Sequence, residues 1–583
     1  MKIMKTNSVL LGKKFNEYLF PAILSSMSIL LASFVDGIIV SRLIDPDALS
    51  AVNLAEPVIL FFQALFFLFG IGGLISISRA LGERDSRKAN VLFTLAAVGA
   101  VIVSVVVTVV AAVFKDGIVS LICNEQKLTQ MVSDYVSYSI YGSSFIIIIP
   151  TFVFLMRVDG MPKFSSAILI VSNAVNLVMD VVYISAFGMG IKGAALATVT
   201  GYAVGSLMVL YYLCIYKKRT LRFVRLGAKD LKDLAQLCAS GISSVLNTVL
   251  LFVKAILLNR IVIRSGGADA ISIFSVCNFL LTFISMFVSG GADTMTPIVS
   301  MLSGEKDNKG IGIILKKTFT FVLSCCAVVI AFVCIFPEAV LAVFSVKSES
   351  KLAIGVPALR IFSLSLIGMG ISYIMMNYFQ SVKHKPLSIM ITLLRGMVIT
   401  VPLAYAMSKL FGVTGIWWSL FLSEMLTAAA AFVVSFIICR TKKEKYSSVF
   451  LFERSADNSA VFDVSIEAKK TFAVSVSESI SALCLENSVD EQKAKYAGLL
   501  AEETVEHIRR YNAPKVPQID LFCKVLDDRV ILSVRDNGVI FDPANVDDDT
   551  EEFSNLKMIN SVADKVEYTR VIGLNNMLVE LGR

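Results

Sequence analysis

One long segment of this chain occurs twice, and that repeat restricts the fold more than any other feature. Residues 48–88 return as 270–310 without a gap. In the first copy Ala48-Leu49-Ser50 leads through an apolar run to Leu81-Gly82-Glu83-Arg84-Asp85. In the second, Ala270-Ile271-Ser272 leads through a similar run to Ser303-Gly304-Glu305-Lys306-Asp307, in constant register with the first. Both copies are too apolar to stand alone in water. Two copies of one membrane-embedded unit imply two like lobes, an arrangement that works by rocking one lobe against the other.

The composition places those lobes in a bilayer. Of 583 residues, 56% are hydrophobic and only 17% charged, and the mean hydropathy is +0.74. A soluble protein needs more polar surface than that. About twelve apolar runs approach the roughly 20 residues that cross a bilayer: 17–40, 52–78, 91–114, 132–156, 165–187, 193–215, 235–263, 270–300, 313–336, 356–380, 387–408 and 413–439. The expected fold class is therefore an all-α polytopic membrane protein with two six-helix lobes, followed by a soluble α/β sandwich. The expected domains are 1–216 and 234–440 for the lobes, 217–233 and 441–445 for basic linkers, and 446–583 for the soluble module.

Charge sets the topology. Arg84, Arg87 and Lys88, then the basic stretch 217–233, then Lys306 and Lys309, then Lys383 and Lys385 fall in one set of loops; the alternate loops are poor in basic residues. The positive-inside rule makes the first set and both termini cytoplasmic, in a cell membrane. The net charge of +8 is thus a topology signal and no footprint of nucleic acid. Lys2, Lys5, Lys13 and Lys14 precede a first run that lacks a cleavage site and is long enough to remain as a helix. Ten scattered cysteines and two histidines argue against a zinc site or a disulfide framework, so no metal ligands are expected.

Polar side chains inside apolar spans are costly, which makes each a functional candidate. The first lobe offers Asp36, Asn173, Asn176, Asp180 and Thr198. Spacings of three and four stack Asn173, Asn176 and Asp180 on one helix face. Two carboxylates with amide and hydroxyl neighbours suit either a shared proton or hard oxygen ligation of Na⁺. Gln63, Lys254, Asn278, Gln380 and Glu424 either line a substrate path or serve as interhelical hydrogen-bonding groups.

Several separated motifs resemble the multidrug and toxic compound extrusion (MATE) transporters. They include Val35-Asp36-Gly37-Ile38-Ile39-Val40-Ser41-Arg42, the run from Phe154 to Lys163 with Asp159-Gly160-Met161-Pro162, and Gly190-Ile191-Lys192-Gly193-Ala194. The second lobe adds Tyr378-Phe379-Gln380-Ser381, Leu394-Arg395 and Gly412-Val413-Thr414-Gly415. The resemblance implies alternating access driven by H⁺ or Na⁺, with small organic, mostly cationic substrates. It maps a cation-coupling site onto Asp36, Asn176, Asp180 and Thr198, and suggests that the first helix bends, helped by Pro21. The span after the lobe linker carries Lys254 where many relatives carry acids, which favours coupling in the first lobe.

The tail holds no Gly-x-x-x-x-Gly-Lys-Ser/Thr loop. It resembles the histidine-kinase-like ATPase fold in the layout of anti-sigma-factor serine kinases, on two elements. Leu500-Ala501-Glu502-Glu503-Thr504-Val505-Glu506-His507 resembles the first nucleotide-binding helix, and Asp536-Asn537-Gly538-Val539-Ile540-Phe541-Asp542-Pro543 resembles the adenine box. The resemblance implies ATP and Mg²⁺ with Glu502, Glu506, Asp536 and Gly538 around them. Glu506 replaces the expected magnesium-binding asparagine, and Ser554-Asn555-Leu556-Lys557-Met558-Ile559 replaces a glycine-rich lid, so the expectation is a degenerate regulatory module with a cytoplasmic protein partner. The alternatives are a flippase for a lipid-linked saccharide and a membrane-tethered serine kinase or sensor. The leading expectation is a transporter, not an enzyme.

Overall fold

The structure is a computed structural model that describes residues 8–123, 125–217, 219–344, 348–454, 460–540 and 562–582. Its first half comprises α1 (Ser8–Leu43), α2 (Pro46–Gly82), α3 (Ser86–Val113), α4 (Lys115–Ile122), α5 (Gln126–Tyr141), α6 (Ser143–Val158), α7 (Pro162–Val181) and α8 (Ile191–Cys214). In the second half α9 (Leu231–Glu305) turns at Gly267 and so forms two spans, Leu231–Gly267 and Asp269–Glu305. It continues with α10 (Asn308–Ile335), α11 (Pro337–Val343), α12 (Glu349–Ser381), α13 (Lys385–Leu393) and α14 (Thr400–Thr441).

The repeat read from the sequence recurs in backbone detail. Helices α3 and α10 begin and end in the same register as the repeat. Each helix starts from an aspartate whose carboxylate accepts a backbone N–H three residues on, Asp85 from Lys88 and Asp307 from Gly310, both at 2.8 Å. Before each aspartate a basic residue turns left-handed, Arg84 at φ 61° and Lys306 at φ 60°. That conformation costs a side chain roughly 1 kcal/mol or more. It is held because the next amide reaches back along the helix end, Asp85 to Ala80 and Asp307 to Leu302, both at 2.9 Å. Gly190 and Gly412, which stand in the same register, share positive φ values of 56° and 61°.

Among the described residues, ten helices are long and apolar enough to cross a membrane, or eleven if Leu128–Tyr141 and Ser143–Val158, bent by 51°, form one broken span. The sequence suggested about twelve. The difference lies in Lys385–Thr441, which counts once at 57 residues yet would measure roughly 85 Å if straight. Gly412, at φ 61° and ψ −141°, breaks it where the runs 387–408 and 413–439 meet.

Toward the end of the bundle that carries the basic loops, one buried apolar cluster is common to both halves and includes Phe15, Phe93, Met301 and Tyr378. Toward the opposite end the core separates into two clusters. One is built around Val40, Val132 and Ile184 of the first half, the other around Phe274, Phe362 and Trp417 of the second. The halves are thus joined at the basic end and part toward the other.

The C-terminal module contains β1 (Ala460–Glu467), α15 (Lys470–Glu486), α16 (Glu491–Asn512), β2 (Gln518–Val525), β3 (Arg529–Asp536), β4 (Lys565–Val571) and β5 (Leu574–Gly582). The strands form an antiparallel sheet in the order β1-β2-β3-β5-β4. The alternation read at 461–466 and the hairpin read around Asp527-Asp528 are present, with Val525 opposite Val530. One face packs α15 and α16 through Ile480, Val505, Ile519 and Leu532. The other lies on the basic end of the bundle, whose core takes in Val571, Ile572 and Leu574.

Candidate functional site

Three helices of the first half bring the sequence-predicted residues together: α1 carries Asp36, α7 carries Asn176 and Asp180, and α8 carries Thr198. The Asn176 amide donates to Asp180 Oδ2 at 3.1 Å and to Thr198 Oγ1 at 3.4 Å. Asp180 is fully buried, and its carboxyl lies within hydrogen-bonding reach of Asp36. One buried oxygen on each, Asp36 Oδ1 and Asp180 Oδ1, has no protein partner. Two carboxylates in a low-dielectric setting repel each other strongly unless a cation sits between them. The orphaned oxygens, the Asn176 amide and the Thr198 hydroxyl make a donor set that fits one proton or one Na⁺. Asn173 stands one turn away and donates to Ser28 at 3.1 Å, outside this network.

Two further residues belong here that the sequence reading passed over. Buried Tyr135 of α5 lies within electrostatic reach of Asp36, Asp180 and Glu56. Glu56 sits near the start of an apolar run, where a carboxylate reads as a boundary residue. Directly after Asp180 the helix widens into a π turn, Val182–Ala186, a local distortion common at functional sites.

The second half builds a charged cluster from the corresponding helices with opposite polarity. Arg395 lies within a π turn, Leu394–Val398, between α13 and α14. It donates from Nε to Glu424 Oε1 at 3.2 Å, while Ser372 donates to Glu424 Oε2 at 3.0 Å. Lys254 of α9 is within electrostatic reach of both charges, and Arg395 stacks 5.3 Å from the Tyr373 ring. Two cations face one carboxylate, and Arg395 Nη1 is buried without a partner.

The other predicted polar residues divide. Gln380 ties α12 to α9, donating to the Ser240 carbonyl at 2.6 Å and to Ser244 at 3.1 Å. It is a structural tie between helices of the second half. Gln63 and Asn278 are half-buried on α2 and α9 and join neither cluster. An ion pair between the halves, Arg157–Asp293 at 3.7 Å, had no periodic signal to reveal it.

In the C-terminal module a cleft forms between α16 and the sheet, lined by His507, Tyr511, Asp536, Val539, Tyr568 and Asn575 among others. Asp536 Oδ1 accepts from the Gly538 amide at 2.7 Å and from Asn575 at 3.0 Å. Burial lifts its carboxyl to about 6, although those hydrogen bonds oppose the shift. A Cβ at residue 538 would meet side-chain atoms of Asn512 and Asp536 at 2.7 Å, so those side chains would have to shift to admit one. The magnesium position does not fit its metal: Glu506 is bound by Arg509 at 2.7 Å and Arg510 at 2.8 Å. Those guanidiniums, Arg509 foremost, hold the carboxyl at about 2. Glu502 lies one turn earlier on α16 and does not line the cleft. Residues 541–543 of the box and 554–559 of the lid lie outside the described residues.

Comparison with known proteins places the helical part in a context. The MatE family profile matches residues 21–182 and 226–406. The multidrug export protein MepA of Staphylococcus haemolyticus is 24% identical over 431 residues, covering 73% of this chain and 93% of that protein. MepA of a Staphylococcus aureus strain is 23% identical over 435 residues, with 73% and 94% covered. Among solved structures, an outward-facing multidrug resistance MATE family transporter of the MOP superfamily superposes with a TM-score of 0.70 at 21% identity, covering 75% of this chain and 99% of that one. A MOP superfamily transporter from Pyrococcus furiosus gives 0.69 at 22% identity, with 75% and 99% covered. The matched residues end at 406, so the sheet module lies beyond them.

Proposed function

The chain belongs to the MatE family, and from that premise we propose that it is a secondary antiporter exporting small organic, mainly cationic compounds in exchange for H⁺ or Na⁺. The observation that carries this reading is the Asp36–Asp180 pair, two carboxylates on separate helices with an orphaned buried oxygen each. When the pair holds a cation, α1 and α7 are drawn together; when it does not, repulsion drives them apart. Pro21 inside α1 lacks the N–H that would bond the Glu17 carbonyl, which weakens the helix there and lets its outer part move. In this reading residues 1–216 and 234–440 are the lobes, the basic linkers 217–233 and 441–445 are cytoplasmic, and so are both termini, in a cell membrane. The core common to both halves at the basic end and divided at the other supports an outward-open shape.

The soluble module, 446–583, is a cytoplasmic regulatory domain of the histidine-kinase-like type that binds nucleotide weakly or not at all. The arginine-occupied Glu506 supports this. Titration of the full chain with Mg-ATP is expected to show no tight binding; tight binding would overturn the assignment. A second reading, a lipid-linked saccharide as substrate, is favoured by the excess positive charge of Lys254 and Arg395 over Glu424, which suits an anionic head group. Reconstitution decides the transport reading. An imposed inward H⁺ or Na⁺ gradient should drive dye export from vesicles, and export indifferent to both gradients would contradict antiport.

A further inference from the structure

The sheet face turned toward the bundle touches both lobes at once. Alternate residues of a strand point to opposite faces, and the register sorts them. Asp536 pairs with Asn575, and both line the cleft against α16. Their neighbours Arg535 and Asn576 also pair, and Thr569 stands opposite Asn576; these three face the lobes. Arg535 and Asn576 both bind Glu305 at the end of α9, and Arg535 also reaches Asp307 at 3.5 Å. Toward the first lobe, Thr569 Oγ1 donates to the Leu81 carbonyl at 3.3 Å, and the Ile572 amide donates to the Val158 carbonyl at 2.8 Å. Arg84 adds a bond to Ser533 at 3.3 Å.

These anchor points are the repeated corner itself. Leu81–Asp85 and Ser303–Asp307 are the two copies of one motif, and they meet beneath the sheet, where a Cβ on Gly82 would overlap the Met301 carbonyl and one on Gly304 the Arg79 carbonyl. A transporter of this type opens inward only when those corners separate. We infer that the soluble module is an autoinhibitory clasp that holds the two lobes together at their cytoplasmic corners and must release one lobe before the inward-facing state can form.

The two grips differ in kind, which says which one lets go. The second-lobe grip is ionic and buried, and the module is tethered to that lobe through α14. The first-lobe grip has three hydrogen bonds, each with a neutral partner on at least one side, and the electrostatic attraction of Arg84 to Glu567 and Glu580. The module therefore rides on the second lobe and releases Leu81, Arg84 and Val158. The inference rests on the alternating-access reading for its consequence, but not for its geometry.

The test uses the full chain with its native cysteines replaced. Val158→Cys with Ile572→Cys allows a disulfide across the first-lobe grip, whereas Thr569→Val with Ser533→Ala weakens that grip without touching the buried Arg535. Hydrogen exchange at residues 79–85 and 301–307 reads the grip with no substrate present, and dye export reads its consequence. The crosslink should slow exchange there and cut export roughly tenfold or more, with reductant restoring both; the weakened variant should speed exchange and raise export. Exchange that ignores both changes, or export by the crosslinked protein at the reduced protein's rate, would overturn the clasp. Exchange that responds while no form of the protein exports any dye would leave the clasp standing and remove the transport reading instead.

Discussion

The crossing of α2 and α9 gives the most quantitative consequence of the two-lobed packing. Gly72 and Gly241 face each other there reciprocally. A Cβ on Gly72 would lie 2.5 Å from the Leu237 carbonyl oxygen and 3.1 Å from the Gly241 nitrogen, and one on Gly241 would lie 2.5 Å from the Leu68 carbonyl oxygen. One turn nearer the basic end, Ser76 and Ser240 approach at 3.2 Å. Ordinary contact begins near 3.4 Å, so Gly72→Ala falls well inside that limit, against backbone that cannot rotate away. The helices must part, and overpacking of this kind costs about 1–3 kcal/mol. The strain exists only while the basic end is closed, so the closed-to-open ratio should fall roughly 5- to 150-fold. Distances between spin labels at Lys88→Cys and Lys316→Cys, on a background without native cysteines, report that ratio directly. The wild-type pattern should be mostly short, and Gly72→Ala or Gly241→Ala should add a longer population and slow export. Unchanged distances in both variants would refute the idea that this crossing is the closed gate.

Other consequences follow from the polar clusters. Arg395→Ala removes one charged hydrogen bond from Glu424, which keeps the Ser372 bond and nearby Lys254, and should cost about 1.5–3 kcal/mol; adding Glu424→Ala leaves Lys254 facing no carboxylate and should cost more still, and thermal unfolding in detergent closes that cycle. In the C-terminal module burial lifts Asp536 and Asp520 to about 6 each, above the value near 3.9 of an unfolded aspartate. Their stabilising contribution is therefore complete below about pH 4 and lost as pH rises through 6. Acidification from pH 7 should tighten β2 and β3 on the order of 2–3 kcal/mol per group, and Asp536→Asn should roughly halve that dependence in hydrogen exchange corrected for the intrinsic rate, leaving the share of Asp520. Thr198→Val removes one bond of 3.4 Å to Asn176 and should shift the half-saturating cation concentration roughly 2- to 13-fold, about 0.5–1.5 kcal/mol.

What could be read from the residues alone was whatever repeats or recurs. The internal repeat carries the matching caps at Asp85 and Asp307 and the matching turns at Arg84 and Lys306, because local backbone chemistry repeats with the sequence. The helical spacing of Asn176 and Asp180 placed them on one face, and Asp36 and Thr198 were named with them from their polarity and the family resemblance; the fold supplies the distances between these helices. The Arg395–Glu424 and Arg157–Asp293 pairs escaped notice because each joins two different helices, with no period linking the partners along the chain. Lys254 stood out as an interruption, but which charges it would face depends on how three helices cross. The π turns beside Asp180 and Arg395 have no residue signature of their own. The clasp was the least legible element: it joins β3, β4 and β5 to helix ends far earlier in the chain, and its key residues look like ordinary strand positions.

The most direct test of the account compares dye export by the intact protein and by Asp36→Asn, at matched expression in cells lacking other pumps. Coupled export through the first-lobe carboxylates requires that the intact protein clear a cationic dye and that the variant lose this while remaining folded in the membrane. Export by Asp36→Asn at the intact rate would contradict the cation site, and failure of the intact protein across several dyes would contradict drug antiport itself.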